Sequence, residues 1–109
     1  RLFTIIDGVI GGDNEGPHEP DAAFSGALLA SENFLAADIA GTRLMGFDPL
    51  KIKMFTYLMN EKDWFYGVKK LSDIKIKTAV EEWKDCLNDN KNKYLEFKPY
   101  PGWVGHIEI

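Results

Sequence analysis

Residues 4–20, TIIDGVIGGDNEGPHEP, and residues 25–49, SGALLASENFLAADIAGTRLMGFDP, decide how this 109-residue chain is read. Leu2 to Ile6 is a compact apolar, β-branched run closed by Asp7-Gly8, the pattern of a buried strand. Val9 and Ile10 either prolong that strand or begin a short turn of helix. Gly11 to Asp21 reads as a mobile or ligand-ordered loop, because Gly11, Gly12, Gly16, Pro17 and Pro20 alternate with acidic residues and no apolar side chain anchors it. Gly26 to Ala30 is short, small and apolar, like a second buried strand. Ser31 or Asn33 then caps a helix from Phe34 to Met45, in which Ala36, Ala37, Ala40 and Gly41 allow close approach to a sheet. Strand, tight turn and helix in this order make half of a βαβ unit. The expectation is an α/β, βα-type layered domain, with a short, mostly parallel sheet flanked by about three helices.

Working outward, Gly46 suits a left-handed helix end, and Asp48-Pro49 is a strong start signal for the next helix. Ile52, Phe55, Leu58 and Met59 recur at helical spacing up to about Asn60, a stripe that reads as core. Trp64, Phe65 and Tyr66 before Gly67 form an aromatic turn. Asp73 to Lys77 alternates polar and apolar residues and reads as a strand, its lysines suiting a sheet edge. Thr78 to Glu81 resembles a capping box, with Val80, Trp83 and Leu87 giving the following helix an apolar face, and Asn88 to Asn92 breaks that helix. The tail from Tyr94 carries too many prolines for a central strand and reads as an extended segment packed on the surface.

The length suffices for one domain with one core, residues 1–109. The chain opens on Arg1-Leu2-Phe3-Thr4, without Met and straight into strand-like sequence. The expectation is therefore the C-terminal part of a longer protein, a fragment of a larger domain whose N-terminal part shares any site. A net charge of −4 and a pI near 5.1 argue against a nucleic-acid partner, and the lysines from Lys69 to Lys93 read as a solvated surface. No apolar run approaches the roughly 20 residues that span a bilayer, so no membrane partner is expected. Cys86 stands alone, which excludes an internal disulfide and any iron–sulfur cluster ligated within this chain, and favours a reducing compartment.

Three features suggest chemistry. Asp13, Glu15 and His18 lie together in the acidic loop and offer a cation hard donors, although their order does not match a calcium EF-hand. The loop's glycines match neither a dinucleotide fingerprint nor a phosphate loop. Asp7 ends the first strand, where α/β proteins place site residues, and Asp38 sits among alanines in mid-helix, where a buried carboxylate needs a partner. Arg43, five residues on, is off the ideal helical pairing position. Asp38 reads equally well as a structural acceptor that pins the loop. His18, His106 and Cys86 form no nucleophile motif.

In order along the chain, IIDGVIGGDNEGP, ALLASENFLAADIAGTRLMGFDP and the closing GWVGHIEI resemble the C-terminal part of the domain of unknown function 362 family. The residues that carry the resemblance are Asp7, Gly8, Gly16, Pro17, Asp38, Arg43, Gly46 and Phe47. Glu32-Asn33 departs from the family's Asp-Pro, and the cysteine-rich segments of some members are missing here. The resemblance implies a bacterial or archaeal cytoplasmic protein linked to redox metabolism. It names no reaction and no cofactor. With it, Asp7, Gly8, Gly16, Pro17, Asp38 and Arg43 are expected to bind a small molecule or metal, against the alternative of a non-catalytic interaction or structural domain. Apolar surface left bare by a missing part would favour self-association.

Overall fold

A computed structural model describes residues 2–61, 67–88 and 94–109. Strand β1 (Thr4–Asp13) pairs antiparallel with β2 (Asp21–Ser31), in register from Thr4 opposite Ser31 to Asp13 opposite Asp21. Among the described residues these two strands make up the whole sheet, so the expected mostly parallel sheet is corrected to an antiparallel hairpin. The reason lies in the connection. Parallel strands need a crossover of about a dozen residues or more, usually helical. Here Val9 and Ile10 continue β1, and Gly11, Gly12, Ala22 and Ala23 are ladder residues rather than loop. Only residues 14–20 remain to reverse the chain.

The ladder slips once between Gly8 and Ile10, where Ser25 and Gly26 together oppose Val9. Gly26 takes φ +62° at this bulge, a conformation that side-chain-bearing residues avoid. The Ser25 hydroxyl donates to the Gly8 carbonyl across it.

Helix α1 (Phe34–Leu44) starts as its sequence indicates, with the Asn33 side chain accepting from the Ala36 amide at 3.1 Å. It packs on the hairpin face that carries Ala27 and Leu29. A Cβ built on Gly41 would stand 3.7 Å from Leu29 Cδ2, ordinary contact. Gly46, at φ +96°, turns the chain beyond α1. Asp48 accepts from the Leu50 amide at 2.9 Å and caps a 3-10 turn, Pro49–Lys51. Ile52 then returns to extended geometry before α2 (Lys53–Asn60), so the helix expected from Pro49 onward is split in two.

Among the described residues two α-helices stand where about three were expected. The Thr78 hydroxyl accepts from the Val80 amide at 3.0 Å, two residues on, instead of reaching the position a capping box requires. Val80 stays extended, and only a 3-10 turn, Glu81–Trp83, follows. Asp73 closes another 3-10 turn, Leu71–Asp73. Ile74 is extended and residues 75–78 form no regular element, and among the described residues none of them joins a ladder, so the expected edge strand is an unpaired segment. The aromatic turn at Trp64 to Tyr66 and the helix break beyond Asn88 fall outside the described residues.

Leu35, Ile39, Leu44, Phe55, Met59, Val68, Cys86 and Leu87 form the core. Each large apolar side chain among them contributes roughly 1.5–3 kcal/mol by leaving water. The tail runs extended along the end of α1, Leu95 donating to the Leu44 carbonyl at 3.0 Å and Phe97 to that of Met45 at 2.9 Å. Its end is fastened where Asp48 donates to the Ile107 carbonyl at 2.7 Å. Among the described residues no helix is long and apolar enough to cross a membrane.

Candidate functional site

Asp7 lies on the outer face of β1, because Ile6 and Gly8 on either side of it face inward. Its carboxylate accepts from the Val9 amide at 3.1 Å. Asp38 and Arg43 belong to α1, the layer on the hairpin's inner face. Asp38 is on the exposed side of that helix, and partial burial pushes its carboxyl above the ordinary 3.8. Arg43 is almost completely buried, with its guanidinium 5.2 Å from the centre of the Tyr94 ring. Gly8 sits in the ladder opposite Ala27, while Gly16 and Pro17, joined by a cis bond, lie in the connection between the strands.

The acidic loop is organised by backbone contacts. The Asp13 carboxylate accepts from the Lys98 amide at 3.1 Å. Asn14, at φ +62°, donates its amide to the Lys98 carbonyl at 3.0 Å and its side-chain nitrogen to the Asp21 carboxylate at 3.0 Å. Glu15 and His18 are exposed. Among the described residues no group of three or more His, Cys, Asp or Glu side chains is placed to hold a metal ion.

The concave surface lies elsewhere. A cleft of about 400 Å³ opens between the edge of β2 that no described strand pairs with, the small-residue face of α1 and residues 74–78. Its volume falls within the roughly 300–1,000 Å³ common for ligand sites. Leu28 to Ser31 form one wall and Ile74 to Thr78 the other, with Ala36, Ala37 and Ala40 beneath them and Trp83 and Cys86 at the floor. None of Asp7, Gly8, Gly16, Pro17, Asp38 or Arg43 lines it.

Helical and extended periodicities explain this lining. The alanines on α1 keep that side of the helix low, and Ser31 and Asn33 sit where strand passes into helix. Ser31 Oγ accepts from the Asn33 amide at 2.9 Å, fixing that corner. Along 74–77, Ile74 and Ile76 are half-buried while Lys75 and Lys77 are exposed, so the isoleucines turn inward and the lysines lie at the rim. Asp73, at one end, accepts from the Lys69 amide at 2.9 Å and the Lys70 amide at 3.1 Å. The Lys69 amide above all, then that of Lys70 and the charges of Lys70 and Lys75, hold its carboxyl below the ordinary 3.8. Burial pushes the Cys86 thiol above the ordinary 9.0, against an opposing pull from Arg43, so the thiol at the floor is a poor nucleophile.

Sequence reasoning missed this cleft because it assigned the Ile74–Lys77 alternation to a sheet. The alternation does mark one face that is wet and one that is not. What it does not carry is the gap between that segment and β2. Comparison with protein-family models, with curated proteins and with solved structures finds no match to the chain.

Proposed function

We propose that this protein is a binding domain whose small-molecule ligand, with an apolar body and an anionic group, occupies the cleft between β2, α1 and residues 74–78. The carrying observation is the cleft itself, about 400 Å³ with an alanine-lined interior and Lys75 and Lys77 on its rim. Apolar area supplies affinity and a few placed charges supply orientation, the usual division of labour in such sites. The polar side chains Asp73, Ser31 and Thr78 already accept from backbone amides, which suits holding a ligand better than moving its protons. A cytoplasmic, redox-linked setting within a larger protein rests on the resemblance to the domain of unknown function 362 family, with the lone thiol of Cys86 in keeping.

Titration with dodecanoate, followed by NMR shifts of cleft amides, tests the proposal. Saturable shifts at Leu29, Ala36 and Ile76 are expected, abolished in Ala36→Leu and weakened in Lys75→Glu. Shifts scattered over the surface, or unchanged by either substitution in a folded protein, would sink it.

A second reading, an interaction domain that self-associates, is favoured by the outer face of the hairpin. Ile5 is 63% exposed, Leu28 67% and Phe24 81%, a large apolar display for one face. Sedimentation over a dilution series decides: a monomer throughout rules this reading out.

A further inference from the structure

One wall of the cleft is strand β2 and the other is residues 74–78, whose burial alternates as along an extended chain, and among the described residues neither has a partner across it. Among the described residues β2 pairs with β1 on one side only. Among the described residues the amides of Lys75, Ile76 and Lys77 make no hydrogen bond. An unpaired strand edge presents a row of donors and acceptors that a further strand satisfies. Insertion here would also cover the alanine-lined interior.

We propose that the cleft accepts an extended acidic peptide as a third strand on the free edge of β2, with apolar side chains turned inward and carboxylates turned toward Lys75 and Lys77. This rests on the reading of the cleft as a binding site and goes beyond it, to a peptide as a second kind of occupant of the same cleft. Charge complementarity selects the occupant. Side chains of an inserted strand alternate between faces, so every second one lies on the outer side, where Lys75 and Lys77 are exposed. Asp73 is the one carboxylate among the lining residues, against the two ammonium groups of Lys75 and Lys77, so the balance of charge there is basic. Backbone pairing supplies affinity and the alternating pattern supplies specificity, as in other strand-addition sites.

The probes are the capped peptides Val-Glu-Val-Glu-Val and Val-Lys-Val-Lys-Val, and the first of these N-methylated at alternate amides. Binding is read by NMR titration, and amide exchange is followed at Leu28 to Ser31 and Lys75 to Lys77. The glutamate peptide is expected to bind at least about tenfold more tightly than the lysine peptide, since reversing two ion pairs shifts attraction to repulsion. It should slow exchange on both walls. N-methylation should abolish binding, and Lys75→Glu with Lys77→Glu should invert the preference. Equal binding of the two peptides, or tight binding of the N-methylated one, overturns the proposal. If dodecanoate binds and no peptide does, strand addition fails while the cleft remains a ligand site; if neither binds, both fall.

Discussion

The backbone amide of Lys98 donates to the carboxylate of Asp13 at 3.1 Å, across 85 residues of sequence. With Asn14 donating back to the Lys98 carbonyl, this pair clamps the hairpin tip to the tail. An acidic loop that reads as cation-seeking is thus partly occupied by its own backbone. Asp13→Ala should lower stability by about 1 kcal/mol, the ordinary net worth of an intramolecular hydrogen bond, since solvent at this exposed site screens the charge. Thermal unfolding of the variant checks the loss. Adding magnesium or calcium to the wild type should leave the transition unmoved; a metal-dependent rise would restore Asp13, Glu15 and His18 as ligands.

Gly11 and Phe97 form a second link between hairpin and tail. A Cβ built on Gly11 would lie 2.7 Å from the Phe97 ring, closer than atoms tolerate. Gly11→Ala should therefore push the ring aside and destabilise the protein by about 1–3 kcal/mol, the usual penalty of overpacking. Phe97→Ala on its own should cost stability through lost burial. In the double variant the two losses should fall short of their sum, because the clash disappears with the ring. Strict additivity in denaturant unfolding would show that the tail does not pack there.

What the sequence made legible is local. Asn33, Gly46 and Asp48 act through hydrogen bonds to near neighbours or through φ, and each stands where residue chemistry alone places it. Strand direction was also within reach, since a glycine- and proline-rich connection without helical periodicity cannot carry a crossover. Residues 74–78 were not legible in this way. Their alternation is the same whether the extended chain joins a sheet or stands apart from one, and the spacing from β2 is a tertiary outcome. Arg43 is similar: nothing near it in sequence announces Tyr94, 51 residues away by their numbers, as the ring against which it is buried. The cleft depends on two such long-range placements, so its residues escaped notice while the glycine-rich loop drew attention.

Cys86 is fully buried and touches both the core and the floor of the cleft. Cys86→Ala removes one sulfur from a packed site and should cost about 1 kcal/mol, toward the small end of core truncations. Cys86→Ser should cost more, because a hydroxyl there needs a partner that an apolar floor does not supply. With its raised pKa the thiol should react slowly with iodoacetamide in the native protein and rapidly once unfolded. Fast native labelling at neutral pH would contradict both the burial and the shift.

Asp38 gives a prediction whose sign is fixed by its surroundings. Burial raises its carboxyl pKa in the folded state above the ordinary 3.8. The native protein then holds this proton more tightly than the unfolded chain does. Stability contributed by Asp38 is therefore highest in acid, falls as pH rises from 3.8 through the raised native value, and stays reduced above it. Asn has a helix propensity close to that of Asp and carries no charge to bury. Asp38→Asn should accordingly raise the melting temperature slightly at neutral pH, and the gain should vanish well below pH 3.8, where the wild-type carboxyl is protonated in both states. Melting curves of the two proteins across that range carry the test. A variant less stable than wild type at neutral pH would mean that the Asp38 carboxylate is held by a favourable partner within the fold, the structural role its place in mid-helix also allows.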